Sequence, residues 1–563
     1  MKPSISRGVS LLALIIFSAG CSTMPVSPHT VSSFTFNVRD YGATGDGKTI
    51  DSPAINKAID AAAAAGGGTV YFPAGTYASF SIHLKSHIVL RLDAGATILA
   101  AEPPADLSTG YDAPEPNPGA DQYEDFGHSH WHNSLIWGEN LEDVSIIGPG
   151  LIFGRGLSRG GGRRDLTPEE RKLPKDQRPD LSLPKNSVVA EKKGPFGYPG
   201  RDVLPAGVGN KSIALKNCHN VTFRDFSIFH GGHFGILVTG VDNLTMDNLK
   251  IDTNRDGMDI DCCLDVHVSH CSVNSPWDDG ICLKASYGLG ALRPCSNITI
   301  SDCYLTGGYD EGSLLDGTFR RSAPSYNSHH MGRIKLGTES NGDFKNIAIA
   351  NCVFDDCMGI AIESVDGSHI EDVAITNITM RRVAGSPIFI RLGNRARGPG
   401  NPPVGTIRRV SIDNLVASGA DWRYGSIVSG IPGHPVEDLR MSNIHIEQAG
   451  GGGAALVGST PPEAEAKYPE PSMFGSMPSY GFFLRHVSGV EMSHVKLDFA
   501  SPEARPAFVL ADVVGARLDH VDAMRGAGGA ALFELRRVSD FCVTESAGVA
   551  DTRLPGAVEA ARY

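Results

Sequence analysis

The chain lacks a basic surplus. Its 50 lysines and arginines are outnumbered by 63 aspartates and glutamates, giving a formal net charge of −13 at pH 7. Phosphate backbones are gripped by an excess of Lys and Arg, so nucleic acid is excluded as the main partner. An acidic sugar is not excluded, because it needs only a local basic cleft. Beyond the N-terminus the chain also lacks an apolar run of the ~20 residues that cross a bilayer. Charged residues make up 20% and hydrophobic ones 41%, which excludes both a disordered chain and a membrane bundle. Glycine is plentiful instead: 66 of 563 residues, against an average usage of ~7%. At ~150 residues per domain the length suggests about four domains, but that prior fails for repeat folds.

Lys2 and Arg7 precede the apolar run Val9–Phe17, followed by Ser18-Ala19-Gly20-Cys21. A basic start, a short apolar core and small residues form a secretory signal over residues 1–21. Cys21 after Ala-Gly resembles a bacterial lipobox, which implies acylation and a periplasmic or outer-membrane location; Ser18 departs from the Leu usual there. Plain cleavage nearby and an uncleaved anchor are the alternatives, and each exports the protein. Residues 22–33 are then expected to form a polar tether, and 34–563 a single domain with a long loop insertion around 102–212.

One six-residue pattern recurs: apolar, any, apolar, any, Asn/Asp/His, apolar. It begins at Val221, Leu244, Val266, Ile298, Ile347, Val373, Val410, Leu439, Val490 and Ala516. Period-2 alternation marks strands. A short strand repeated every 22 residues or so cannot bury its apolar face alone; stacking turns at ~4.8 Å completes the pairing and buries a continuous core. The expected fold is all-β, a single-stranded right-handed parallel β-helix. Pro53–Ala64 has helical composition and is expected to cap its N-terminal end. The Asn/Asp/His column suits side-chain ladders. Eleven cysteines in an exported chain invite disulfides, yet Cys271, Cys303 and Cys352 share the last apolar slot of the repeat, which predicts buried, stacked thiols.

The repeat also gives a coordinate system. Twelve residues after the first position of four successive turns stand His233, Asp256, Asp278 and Asp310. Asp279 follows Asp278, and Asp259 lies three beyond Asp256. Carboxylates about 5 Å apart repel, so at least one keeps a raised pKa. One protonated carboxyl and one carboxylate are what glycosidic-bond chemistry requires. A metal ladder or a solvated Asp-rich turn edge fits the spacing as well.

At this point the residues resemble the family 28 glycoside hydrolases, the polygalacturonases and rhamnogalacturonan hydrolases. NRDGMD (residues 254–259) followed by DDGICLK (278–284) is similar to that family's NTDGxD and DDC motifs. Phe36–Asp60 and Gly66–Tyr77 look like its N-terminal segment, which other β-helical pectin enzymes share. The resemblance implies an inverting hydrolase of pectic chains, rhamnogalacturonan or galacturonate-containing, with no cofactor and no metal. It implies Asp278 as proton donor, with Asp256 and Asp279 holding the attacking water. Asparagine at any of the three is then expected to cost orders of magnitude in kcat with little change in melting temperature.

Two family motifs are missing. Gly-His-Gly is replaced around Met331-Gly332-Arg333, and Arg-Ile-Lys by Ala361-Ile362-Glu363. In polygalacturonases those residues grip the galacturonate, so a neutral or differently placed sugar is expected at the cleavage point, and plain polygalacturonate should be a poor substrate. Arg333 and Lys335 are the candidates to replace the lost cations. Lys284, His233, Asp310, Arg391 and Arg395 complete the candidate substrate contacts. His329 and His330 are candidates to lie over the cleft. A monomer is expected, touching membrane only through an N-terminal lipid anchor. A uronate lyase using Ca²⁺ and a non-catalytic glycan binder on the same solenoid are the competing classes.

Overall fold

A computed structural model describes residues 34–125, 127–158, 204–253, 255–322, 330–528 and 530–563. The signal, Cys21 and the tether lie outside these, as do Asn254, His329 and most of the Arg159–Pro205 stretch. Phe34–Tyr563 forms one compact unit.

The repeats stack as the sequence predicts. Val221 pairs in parallel with Leu244, then Val266, Ile298, Ile347, Val373, Val410, Leu439, Val490 and Ala516, without a slip in register. All are buried, forming one apolar column within a core that runs from Val38 to Val543. Every turn therefore pairs its neighbour's backbone, and the strands build a parallel β-helix. At the far end Thr552–Leu554 and Val558–Arg562 pair antiparallel to Phe533–Thr544. At the near end a helix spans Ser52–Ala64. Its buried Ile55, Ala58, Ile59 and Ala62 face the strands Thr35–Asn37, Gly68–Phe72 and Ile82–His83. The Asp51 carboxylate accepts from the backbone N–H groups of Thr44 and Gly45 at 2.7 and 3.0 Å and so ties the helix start to the preceding loop.

The Asn/Asp/His column has a second cause besides laddering. Asp225, Asn248, His270, Asp302, Asn351, Asn377, Asn414, Asn443, His494 and His520 all have φ between 50° and 73°. Only glycine and short polar residues enter this left-handed region at low cost. The column turns the chain and also ladders: Asn377 donates to Asn351 at 2.9 Å and Asn414 to Asn377 at 2.8 Å.

Two expectations are corrected here. The stretch 102–212 is not one insertion. Ser134–Glu139, Glu142–Ile147 and Leu151–Phe153 form a regular turn in register with its neighbours. Its strands lack the Asn/Asp/His signature, which hid them. The twelve-residue column is also off by one. Phe234, not His233, pairs with Asp256, and the ladder Met258↔Ile281 brings Asp279 onto the rung of Asp256. The loops joining the stacked sheets differ in length by one residue, so a count across them drifts.

Candidate active site

One sheet of the solenoid carries the site on its outer face. In the strands Lys211–Lys216, Phe234–Thr239, Asp256–Asp261, Ile281–Ala285, Ile334–Ser340, Ile360–Ser364 and Ile388–Leu392, alternate side chains point inward to the core. The outward ones stack into a column reading Ala214, Leu237, Asp259, Cys282, Lys335, Ala361, Phe389 and onward to Ile427, Phe483 and Val509. This column is apolar at both ends and polar across three rungs, and a second outward column beside it carries Asp261, Lys284, Glu363, Arg391 and Arg485. Each apolar end is covered. Trp131 packs on Phe234, Ala214 and Leu237, with its indole N–H donated to the Thr239 hydroxyl at 3.0 Å. Phe474, Met477 and Tyr424 cover Ala361, Phe389, Ile427, Phe483 and Val509. Between the covers lie three rungs, roughly 10–15 Å of polar floor at the strand spacing.

Asp256, Asp278 and Asp279 meet on that floor, with carboxylate oxygens within 4.8 Å of one another. Their environments differ. Asp256 is buried, and burial with the adjacent Asp278 and Asp259 carboxylates pushes its pKa well above the usual range. Its protonated form is favoured. Asp279 is also buried, but Arg333 donates Nε–H to its Oδ1 at 2.7 Å and Lys335 pairs with its Oδ2. These two cations outweigh the burial and hold its carboxyl far below the usual range. Asp278 is the most accessible of the three, its side chain 20% exposed. Its Oδ2 pairs with Arg255 at 2.7 Å, and its Oδ1 accepts the Asp279 backbone N–H at 3.1 Å. Trp277 is half-buried beside it.

The remaining candidates divide. Lys284 is buried between Glu339 at 2.9 Å and Asp259 at 3.5 Å, on the same floor. His233 is buried near Arg255, Nη2 to Nε2 at 3.4 Å, and burial with that guanidinium drives its pKa well down, so the imidazole is neutral. Three candidates are corrected. Asp310 does not join the carboxylates: it is exposed, on a loop where its backbone N–H bonds the Arg320 carbonyl at 2.8 Å. Arg391 donates to the Ser429 hydroxyl and to the carbonyls of Gly430, Glu463 and Ala464, so it pins a loop instead of offering a fork to substrate. Arg395 is held by Asp366 and the Thr338 carbonyl. Of the two loop histidines, His330 is taken up by Asp356 at 2.7 Å.

Several site residues escaped the sequence reading. Arg255 was visible, standing where the motif has Thr. His128, 3.0 Å from Asp259, and Glu470, on Arg333, come from loops without repeat and gave no signal. His128, Asp256 and Asp259 form a second group able to hold a cation, with the Lys284 ammonium already on Asp259.

Glu363, which replaces a family cation, is buried and its pKa is pushed up to about 8. Its folded value lies above the unfolded one, near 4.5, so its contribution to stability is complete below that and lost as pH rises toward 8. Glu363→Gln should therefore flatten the decline of the melting temperature between pH 5 and 8. Parallel pH profiles for variant and wild type would show that Glu363 is ionised throughout.

Comparison with known proteins agrees with this architecture. The family described as rhamnogalacturonase A/epimerase, pectate lyase-like, matches residues 35–110, and the right-handed β-helix region matches 211–382. An exo-poly-alpha-D-galacturonosidase of Dickeya chrysanthemi is 24% identical over 373 residues, 63% of this chain and 56% of that protein. A probable polygalacturonase of Vitis vinifera is 24% identical over 466 residues, 79% of this chain and 80% of that one. The family 28 exopolygalacturonase structure from Yersinia enterocolitica superposes with a TM-score of 0.55 at 18% identity, covering 92% of this chain and 79% of that chain. The fold is a right-handed parallel β-helix. In sequence the chain is similar to the two polygalacturonase relatives.

Proposed function

We propose that the protein is a glycoside hydrolase of pectic chains, acting by carboxylate chemistry at Asp256, Asp278 and Asp279. The observation that carries this is the split between neighbouring carboxyls. Burial and neighbouring carboxylates favour the protonated form of Asp256, while Arg333 and Lys335 favour the ionised form of Asp279 beside it. A pair of titratable groups pushed apart by environment marks acid and base roles. The Asp256–Asp278 pair supplies the proton to the glycosidic oxygen, with Asp278 as the exposed member that meets it. The fixed charge of Asp279 faces the positive charge developing at the anomeric carbon, orients the attacking water and accepts the proton that the water loses as the new C–O bond forms. The polygalacturonase relatives support the pectic substrate. In the same reading residues 1–21 direct export, Cys21 carries the lipid, and the helix Ser52–Ala64 caps the solenoid.

The carboxylates lie closer together than the ~6.5–9.5 Å usual in inverting enzymes. Inversion is nonetheless expected, because both oxygens of the ionised carboxylate, Asp279, are held by Arg333 and Lys335. Neither is available to attack carbon, and water takes that part. The covered ends of the floor restrict entry to a chain terminus. Incubation with pectic oligosaccharides of defined length should give one- or two-sugar products from the first minutes, with inverted configuration by ¹H NMR. A ladder of internal fragments would refute the terminal mode. Products absorbing in the ultraviolet, with activity lost to chelator and restored by Ca²⁺, would establish a lyase instead.

A further inference from the structure

The strongest feature outside the carboxylates is what covers Arg333. This side chain, 1% exposed, stands beside Asp279 on the floor, where a sugar carboxylate would be received. Its Nε serves Asp279. The other two nitrogens serve the Glu470 carboxylate, Nη2 to Oε1 at 2.5 Å and Nη1 to Oε2 at 3.2 Å. That is the two-pronged geometry by which an arginine binds a uronate.

Glu470 does not reach Arg333 by accident of an exposed loop. The segment 461–470 is fastened along its length. Arg485 donates to the carbonyls of Pro461 and Pro462, and Arg391 to those of Glu463 and Ala464. The Asn394 backbone N–H bonds the Glu465 carbonyl at 2.7 Å. The phenol of Tyr468 accepts from the Thr338 hydroxyl at 3.0 Å. Six hydrogen bonds from four residues place one carboxylate on one guanidinium.

The nearby charges are matched as well. Lys335 is on Asp279, Lys284 on Glu339 and Asp259, and Arg255 on Asp278. A uronate arriving at this point would have to displace Glu470 or meet its charge.

Resting on the hydrolase reading above, we propose that Glu470 is a specificity-determining residue: it occupies the Arg333 fork in place of a substrate carboxylate and so selects a sugar without a negative charge beside Asp279. The protein then cleaves pectic chains whose sugar at this position is neutral, whether by nature or by esterification.

The test uses galacturonate oligomers of one length, as free acids and as methyl esters, which differ only in charge. The wild type should show a kcat/KM on the esters at least ten times that on the acids. Glu470→Gln keeps the shape of the side chain and removes its charge, and should raise the acid-to-ester ratio of kcat/KM about tenfold. Wild-type preference for the free acids overturns the proposal whether or not the variant folds. Equal losses on both substrates in a Glu470→Gln protein of unchanged melting temperature overturn it too, since that is the mark of a structural brace. Hydrolysis of neither substrate by the wild type, with tight binding of one of them, would instead count against the hydrolase reading; the ester-to-acid ratio of dissociation constants then decides the role of Glu470 alone.

Discussion

Asp279→Asn is expected to remove nearly all hydrolysis and several kcal/mol of stability together. The general acid–base share of such a loss is typically ~10²–10⁴ in kcat. The stability loss has a separate origin. Asp279 is buried and neutralises Arg333 and Lys335. Removing one member of a buried ion pair costs roughly 3–5 kcal/mol, because the partner is left charged and dry. Glu470 still serves Arg333, so Lys335 bears most of the loss. This differs from the sequence expectation of an unchanged melting temperature. The pH signature has a definite sign. The native carboxyl is held well below its ordinary value near 3.9. Its stabilisation is therefore complete above that value and drains as pH falls toward the native one. The wild type should therefore lose its melting-temperature advantage over the variant as the solution is made acid. Circular-dichroism melts from pH 2 to 7, beside initial rates, check both halves. A variant as stable as the wild type at pH 6 would mean that Lys335 is satisfied elsewhere.

Asp256→Asn should behave in the opposite way towards stability while losing as much rate. Asparagine imitates a protonated carboxyl, the form that burial and the Asp278 and Asp259 charges impose. A group whose native value is raised stabilises fully below its unfolded value, and that contribution is lost as pH rises through the native one. The variant escapes this loss. Its melting temperature should equal that of the wild type near pH 4 and exceed it in mildly alkaline solution, while kcat falls by ~10²–10⁴. A variant that retains most activity would move the proton donor away from Asp256 and Asp278.

The contrast between these two aspartates shows where sequence reading reaches its limit. The period of the strands, the stack of the ten repeats and the meeting of Asp256, Asp278 and Asp279 were legible, because each rests on residues a fixed distance apart within one or two turns. The charge state of each aspartate was not, since it depends on Arg333, Lys335 and Arg255, whose reach into the site follows from loop lengths between rungs. Those loops also shifted the twelve-residue column and stranded Asp310 on the surface. Glu470 lies 137 residues from Arg333, in a segment with no period at all. A solenoid makes neighbours of equivalent positions, and that is readable; a loop folded back over it makes neighbours of unrelated ones.

The thiols bear on how such a chain is made. Cys271, Cys303 and Cys352 are buried and unpaired, as are Cys218, Cys263 and Cys295, each taking the place of a core aliphatic. Among the described residues no covalent bridge fixes the register of the turns. Assembly of the solenoid then asks nothing of an oxidising compartment or of a disulfide-shuffling catalyst. Nearest-neighbour stacking, one rung onto the next, sets the register instead. Oxidant reaches the buried sulfur columns while they still see solvent, before the solenoid closes; Cys542, half-buried, stays within reach afterwards.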